Sequence, residues 1–530
     1  MRSLYFLLPS LLTCVAAAHC EAVDHLVLPD GSGDFATIQE AVLGSTSGDV
    51  ILLGDGTFTG PGNRNINVDR SVTIRGRSED RAQCFIDVLG SSQSPARGFV
   101  IDAGPDVHVR IEYVTIERAY RRVDFSTGGA VFVAESSLSL HQCTIRTSNA
   151  EDGGAIGAVE NARVELSFCS IKHNIGFAAL NANGASFDVR DTHFEGNGYG
   201  IHGELGATVQ VEDCLLVRNS RAGIYMNVDG RLGVVNTEIS DNGFSVTGGG
   251  IRLSGSTHAK IVSSTIRGNN SVHSFSSGGG LAVYNRSRAY VTSTLITGNR
   301  AGEHGGGISV EESSRVWLRT STVAGNSASG DGGGIYQNGG AVHLENSIVS
   351  SNCGEDFSMD RSTDLLTAKC SITGTFGDAN GTVEFDEYTF ELDPLFCDPY
   401  PCAAPTVNGD YSLDASSPAL PEGSACGAPI GAVGQGCGVS SAQSADSRMG
   451  ALKSVPNPAT RTVFIRNVVP GIPVRIFDSS GRLINVVHAA IGSNEVEWNL
   501  VDHNESRVPA GVYFARSARH LDAVRMLVTN

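Results

Sequence analysis

GGGISVEESSRVWLRTSTVAGN, residues 305–326, carries two periods at once. Apolar residues alternate with polar ones through Val316 and Leu318, the two-residue period of a strand with one buried face. The whole segment then recurs. Aligned on its apolar residues, the chain repeats a unit apolar-x-apolar-x-x-(Cys, Thr or Ser)-x-apolar-x-x-Asn, followed by a loop and a Gly-Gly-apolar step. The last apolar residue of the unit falls at Ile145, Ile171, Phe194, Leu216, Ile239, Ile266, Ile296, Val323 and Ile348, at spacings of 22 to 30 residues. Strand alternation inside a repeat of that length is the pattern of a parallel β-helix, in which one coil cannot bury its apolar face alone and stacked coils bury a continuous core.

Fixed positions within the unit acquire roles from the stacking. Asparagine stands three residues after the apolar marker at Asn174, Asn197, Asn219, Asn242, Asn269, Asn299 and Asn326, where stacked side chains can bond the turns above and below. Cys143, Cys169 and Cys214 share one inward position with Thr192, Thr237, Ser264, Thr294 and Ser321, an inner ladder of small residues. Glycine, at 64 residues about twice its usual frequency, is expected to turn the corners. At the N-terminal side GSGDFATIQEAV (31–42) sets Ile38, Ala41 and Val42 on one face of a short helix that would cap the open core. Strands are expected at 50–53 and 72–74, and counting from there gives about thirteen coils, a rod on the order of 60 Å at strand spacing.

The ends of the chain have a different character. Arg2, an apolar run over 4–15 and small residues after it read as a secretory signal peptide over 1–22, and no later run approaches the roughly 20 apolar residues of a spanning helix. Export permits disulfides. Cys353, Cys370, Cys397, Cys402, Cys426 and Cys437 cluster at the end of the repeats, with Cys397–Cys402 and Cys426–Cys437 as the expected pairs. The β-helix is expected over 23–438, a polar linker over 439–452, and a small β-sandwich over 453–530, where VFIRNV and VRIFDSSGRLI alternate around a Ser-Gly turn. A net charge of −18 argues against nucleic acid as a partner.

Several motifs match known families. GGAV ending at Val131, GGAI at Ile156, GGGI at Ile251 and Ile308, GGGL at Leu281 and FEGN at 194–197 resemble the short paired motifs of polymorphic outer-membrane proteins, within the pectin-lyase-like superfamily. That resemblance spans 126–352 and implies an all-β, right-handed parallel β-helix. LPDGSGDFATIQEAV (28–42) and GDGTF (54–58) resemble the opening of pectin methylesterases, but the aspartate motifs of those enzymes and of polygalacturonases are missing, so no catalytic residue is assigned. Pro456-Asn457-Pro458, Gly481-Arg482, Trp498 and PAGVY (509–513) resemble the C-terminal sorting domain of the Por (type nine) secretion system, an Ig-like fold. This implies delivery by that secretion machinery to the bacterial cell surface or beyond it.

Ligand contact belongs on the outward positions of the coils. One outward column reads Glu165, Asp188, Gln210, Gly233, Lys260, Tyr290, Trp317, His343. Its last three members lie on consecutive coils and should stack as a ring ladder, a platform for the C–H faces of a sugar chain. A second cluster, Asp188, Asp191, Glu212 and Asp213 with Arg190, offers hard oxygens to Ca²⁺, with Asp188, Asp191 and Asp213 as the ligand set. The first cluster points to a surface protein that binds polysaccharide or another surface. The second points to the alternative, a calcium-dependent polysaccharide lyase of the pectate type. The loop NSVHSFSS (270–277) has no triad partners at a telling spacing and receives no nucleophile.

Overall fold

The computed structural model describes residues 22–122, 127–243, 248–271, 276–399, 409–424, 426–437, 452–468, 474–478, 483–487, 494–502, 506–517 and 524–529. The expected signal peptide, but for Ala22, and the linker, but for Leu452, lie outside them. So do Cys402, the Gly481-Arg482 pair and residues 272–275 of the NSVHSFSS loop.

Each coil contributes one strand to each of three parallel sheets. In the coil of the opening segment these are Ile308–Glu311, Arg315–Arg319 and Thr322–Ala324. Stacked coils build sheets of 13, 15 and 14 strands in that order, the 15-stranded one running from Asp24–Val27 to Thr382–Phe385. The rod is thus slightly longer than the repeat count alone implies, because Asp24–Val27 precedes the recognisable repeats and pairs with Val50–Leu53. The helix Ile38–Gly44 closes the first coils with Ile38, Ala41 and Val42 buried, and Thr37 caps it by accepting from the Glu40 N–H. Alternation does the rest: in Arg315–Arg319 Val316 and Leu318 point into the core while Arg315, Trp317 and Arg319 point out.

Two side-chain ladders tie the coils together. The Nδ2 of Asn242 donates to Leu216 O at 2.9 Å and to Asn269 Oδ1 at 3.0 Å, while its Oδ1 accepts from the backbone N and the Nδ2 of Asn219, both at 2.9 Å. The ladder continues beyond Asn326 to Asn352, whose Nδ2 donates to Asp356. The inner ladder is a chain of hydroxyls: Thr237 N donates to Ser264 Oγ, Ser264 N to Thr294 Oγ1 and Thr294 N to Ser321 Oγ. Cys143, Cys169 and Cys214 occupy the same column as free, buried thiols.

Glycine does not turn the corner between the 15- and 14-stranded sheets. That corner is made by one left-handed residue per coil, among them Phe168, Asp191, Asp213, Asn236, Ser263, Ser293 and Thr320, with φ from 46 to 55°. Each of these left-handed residues stands directly before a buried Cys, Thr or Ser of the inner column. Glycine takes the next corner, directly after the 14-stranded sheet, where Gly196, Gly268, Gly298 and Gly325 have φ from 61 to 67°. It also serves close approach: of the triplet 305–307 only Gly305 has a positive φ (66°), while a Cβ on Gly306 would lie 2.3 Å from Ser327 O.

The expected disulfides pair differently. Cys397 bonds Cys437 and Cys370 bonds Cys426, with Cα separations of 5.8 and 6.0 Å. The reason is topological. Phe396–Asp398 and Gln435–Cys437 flank Asp410–Asp414 in one small sheet, and this tail packs Phe396, Tyr411 and Leu413 against Ala324, Ile348 and Ile372 on the outside of the rod. Cys370–Cys426 fastens this flap to the rod, and Cys397–Cys437 ties the two outer strands of the flap's own sheet together.

The C-terminal unit holds two antiparallel sheets. One joins Lys453–Val455, Val463–Arg466 and Glu495–Trp498; the other joins Leu483–Val487, Val474–Asp478, Gly511–Ser517 and Val524–Val528. Val463, Ile465, Val474, Ile476, Trp498 and Met526 share the core between them. Among the described residues no helix is long and apolar enough to cross a membrane.

Candidate functional site

Register places every member of the predicted outward column in line on the 15-stranded sheet. Glu165 pairs with Asp188, Asp188 with Gln210, Gln210 with Gly233, Gly233 with Lys260, Lys260 with Tyr290, Tyr290 with Trp317 and Trp317 with His343. The three rings stack as coil spacing demands. Tyr290 and Trp317 are 4.5 Å apart between centroids with planes 7° from parallel, and Trp317 and His343 are 5.3 Å apart at 22°. Tyr290 is 43% exposed, so the platform is open to solvent at that end. At the other end a ring nitrogen of His343, Nδ1, lies 2.8 Å from Thr367 Oγ1 on the next coil. Burial, and then the charge of Arg315, hold the His343 imidazole below its ordinary pKa. At neutral pH the ladder therefore ends in a neutral ring, free to stack or to exchange hydrogen bonds with hydroxyls.

The acidic cluster is organised otherwise. Asp188 accepts two hydrogen bonds from Arg190, each of 3.0 Å, and Glu212 lies 3.8 Å from the same guanidinium. Asp191 and Asp213 sit on the corner turns of adjacent coils, where Arg475 of the C-terminal unit reaches both: it is 3.4 Å from Asp191 and donates to Asp213, which also accepts from Asn236. Burial raises the Asp191 carboxyl to about 6, with Arg475 opposing the rise and Asp213 adding to it. The structure thus joins two of the three proposed calcium ligands, on an arginine, and leaves Asp188 with a different one. Among the described residues no three His, Cys, Asp or Glu side chains converge as a metal site would require.

A second ring group lies on the 13-stranded sheet. His202 stacks on Tyr225 at 4.9 Å and meets Phe177 edge-on at 4.9 Å, and its Nδ1 is 2.7 Å from Asn181 Oδ1. Burial lowers its pKa to about 4. Arg221 lies over Phe177 and Arg252 over Tyr225, so these faces are already covered by the protein's own cations. The Tyr290–Trp317–His343 faces have no such cover among the described residues.

The sequence model of the right-handed β-helix region matches residues 98–243, 128–296 and 249–391, together more than half of the chain. The chain belongs to this right-handed β-helix family. Among solved structures, this β-helix protein is similar to a variant of the periplasmic alginate epimerase AlgG, with 10% identity over 64% of this chain and 77% of that one and a TM-score of 0.42. It is similar to the catalytic unit of the thermostable GH87 alpha-1,3-glucanase of Streptomyces thermodiastaticus strain HF3-3, with 16% identity, coverage of 69% and 67% and a TM-score of 0.45. Pectate lyase Pel9A follows, with 12% identity, coverage of 78% and 97% and a TM-score of 0.36. At these identities the likeness is one of fold. No curated protein matches the chain.

One feature of the site escaped the sequence reading. Two residues before Lys260, Tyr290 and Trp317, on the same face, stand His258, Arg288 and Arg315, continuing a column from Arg231 that ends at Ala341 beside His343. The signal was present as the pattern cation-x-ring in Arg288-Ala289-Tyr290 and Arg315-Val316-Trp317.

Proposed function

We propose that this protein binds polysaccharide along the outer face of its 15-stranded sheet, with Tyr290, Trp317 and His343 as the platform. The observation that carries this reading is a stack of three near-parallel rings, open to solvent at Tyr290 and uncovered by the protein's own cations, which architecture alone does not require. Stacked rings at coil spacing present one flat apolar strip, and pyranose rings offer the matching C–H faces while their hydroxyls remain in water. Delivery to the cell surface or outside it, through the C-terminal unit and the secretion machinery it resembles, is part of the same proposal. Its support is the run of tail motifs together with the two-sheet antiparallel fold that carries them.

The chain has two tryptophans, Trp317 on the ladder and Trp498 buried in the C-terminal core, so ligand-induced change in intrinsic fluorescence reports on Trp317. Titrating the full chain with a panel of neutral and uronic-acid polysaccharides is expected to shift that emission for at least one member. Trp317→Ala is expected to weaken binding to that member about tenfold, the equivalent of ~1.4 kcal/mol, as measured by affinity electrophoresis. A panel that leaves the emission unmoved, or a Trp317→Ala chain that binds as the wild type does, would overturn the proposal.

A further inference from the structure

We propose that the glycan bound on this ladder is a polyanion, held directly by the row of basic residues beside the rings; the inference rests on the polysaccharide reading above. Arg231, His258, Arg288 and Arg315 are exposed and in register on four consecutive coils, and Lys260 occupies the ladder column one coil before Tyr290. Coils repeat at about 4.8 Å, so the rings and the basic row run as two parallel tracks along the rod axis.

What sets this row apart is the lack of partners. The protein is acidic, with 56 Asp and Glu against 38 Lys and Arg. Elsewhere on the same face Arg75, Arg110, Arg190 and Arg319 are matched, while Arg163, in the same column as Arg231, stands unmatched among the described residues. Arg190 is bound to Asp188, and Arg319 donates to Glu345 at 2.6 and 3.0 Å. Among the described residues no carboxylate lies within ion-pair distance of Arg231, His258, Lys260, Arg288 or Arg315. The carboxylates nearest in sequence, Asp229 and Glu312, sit in the turns that precede the strands and leave the guanidiniums unpaired.

Arg231, Lys260, Arg288 and Arg315 are like charges on successive coils and repel one another, a cost that a bound chain of carboxylates or sulfates would reverse. Guanidinium groups suit such oxygens through paired N–H donors. A neutral glycan would use the rings and leave the cations in water. The protein's overall negative charge disfavours polyanions at long range, so recognition has to be local, and the basic row supplies it where the rings are.

The test compares polygalacturonate with its fully methyl-esterified form, which keeps the sugar backbone and removes the charge, using full-length protein, EDTA throughout and low salt. The free acid is expected to retard the protein about tenfold more strongly than the ester, with the difference shrinking as salt rises. In Arg288→Glu/Arg315→Glu that preference is expected to vanish or invert while Trp317-dependent retardation by the ester persists; Arg288→Gln/Arg315→Gln provides the milder version. Equal, Trp317-dependent retardation by acid and ester, untouched by either double variant, would overturn this inference and leave the polysaccharide reading standing. Retardation by neither polymer would count against both. Trp317-dependent binding of oligo-dT with none of polygalacturonate would assign the surface to single-stranded nucleic acid and overturn the glycan assignment.

Discussion

Asn242→Ala is expected to lower the unfolding free energy by roughly 3–5 kcal/mol, because one side chain serves three coils. Its amide donates to Leu216 O and Asn269 Oδ1, and its carbonyl accepts from the backbone and the side chain of Asn219. Asn242 is fully buried, and so are Asn219 and Asn269, so water cannot replace what is lost. Alanine would leave the Asn219 N–H and amide and the Leu216 carbonyl without these partners, each at a cost of about 1–3 kcal/mol. Because coils stack only on their neighbours, the defect weakens the junctions on both sides. Urea unfolding followed by far-UV circular dichroism is expected to show an earlier midpoint, or a first transition split from the main one. An unchanged curve would mean that the ladder is a consequence of the coil and not one of its causes.

How much of this is legible in the sequence depends on how far apart the interacting residues lie along the chain. The Asn ladder, the ring column and the helix over Ile38–Gly44 follow from short-range periodicity combined with one repeat length, and the structure reproduces each in register. The corner residues are harder. Glycine is the expected corner residue and takes the corner after the 14-stranded sheet, as at Gly268 and Gly298, but at the corner before it Phe168, Asp191 and Ser293 adopt a left-handed backbone that propensity alone does not reveal. The disulfides fail for a related reason: proximity in sequence favours Cys397 with Cys402, whereas the bonded partner, Cys437, arrives through a sheet formed by the tail. Arg475 meeting Asp191 and Asp213 joins residues more than 260 positions apart and has no local signature at all. The basic row is readable, since it shares the alternation that reveals the rings, but its unpaired state is a property of the fold.

Gly306→Ala tests whether the recurring glycine triplet is architecture, and it is expected to cost about 3 kcal/mol or more. Gly306 has an ordinary backbone conformation, so alanine meets no torsional objection there. The obstacle is the neighbouring coil: a Cβ would lie 2.3 Å from Ser327 O, 2.4 Å from Ser327 C and 2.5 Å from Gly333 O. All three are backbone atoms, and none can swing aside as a side-chain tip would. Relieving the clash requires the coils to part where Gly306 N donates to Gly332 O and Gly280 N donates to Gly306 O, so packing and hydrogen bonding fail together. Gly434→Ala is the matched control: nothing lies within 4 Å of its Cβ position and its φ is ordinary. There alanine should be neutral or stabilising by up to about 1 kcal/mol, through the lowered entropy of the unfolded chain. Equal midpoints for the two variants in urea would show that the coils slide apart at little cost and that the triplet's repetition has a cause other than close stacking. A large gap would place the triplet's role in the scaffold and leave Trp317, on the opposite face of the same strand from Val316 and Leu318, as the part of the segment that packing does not explain.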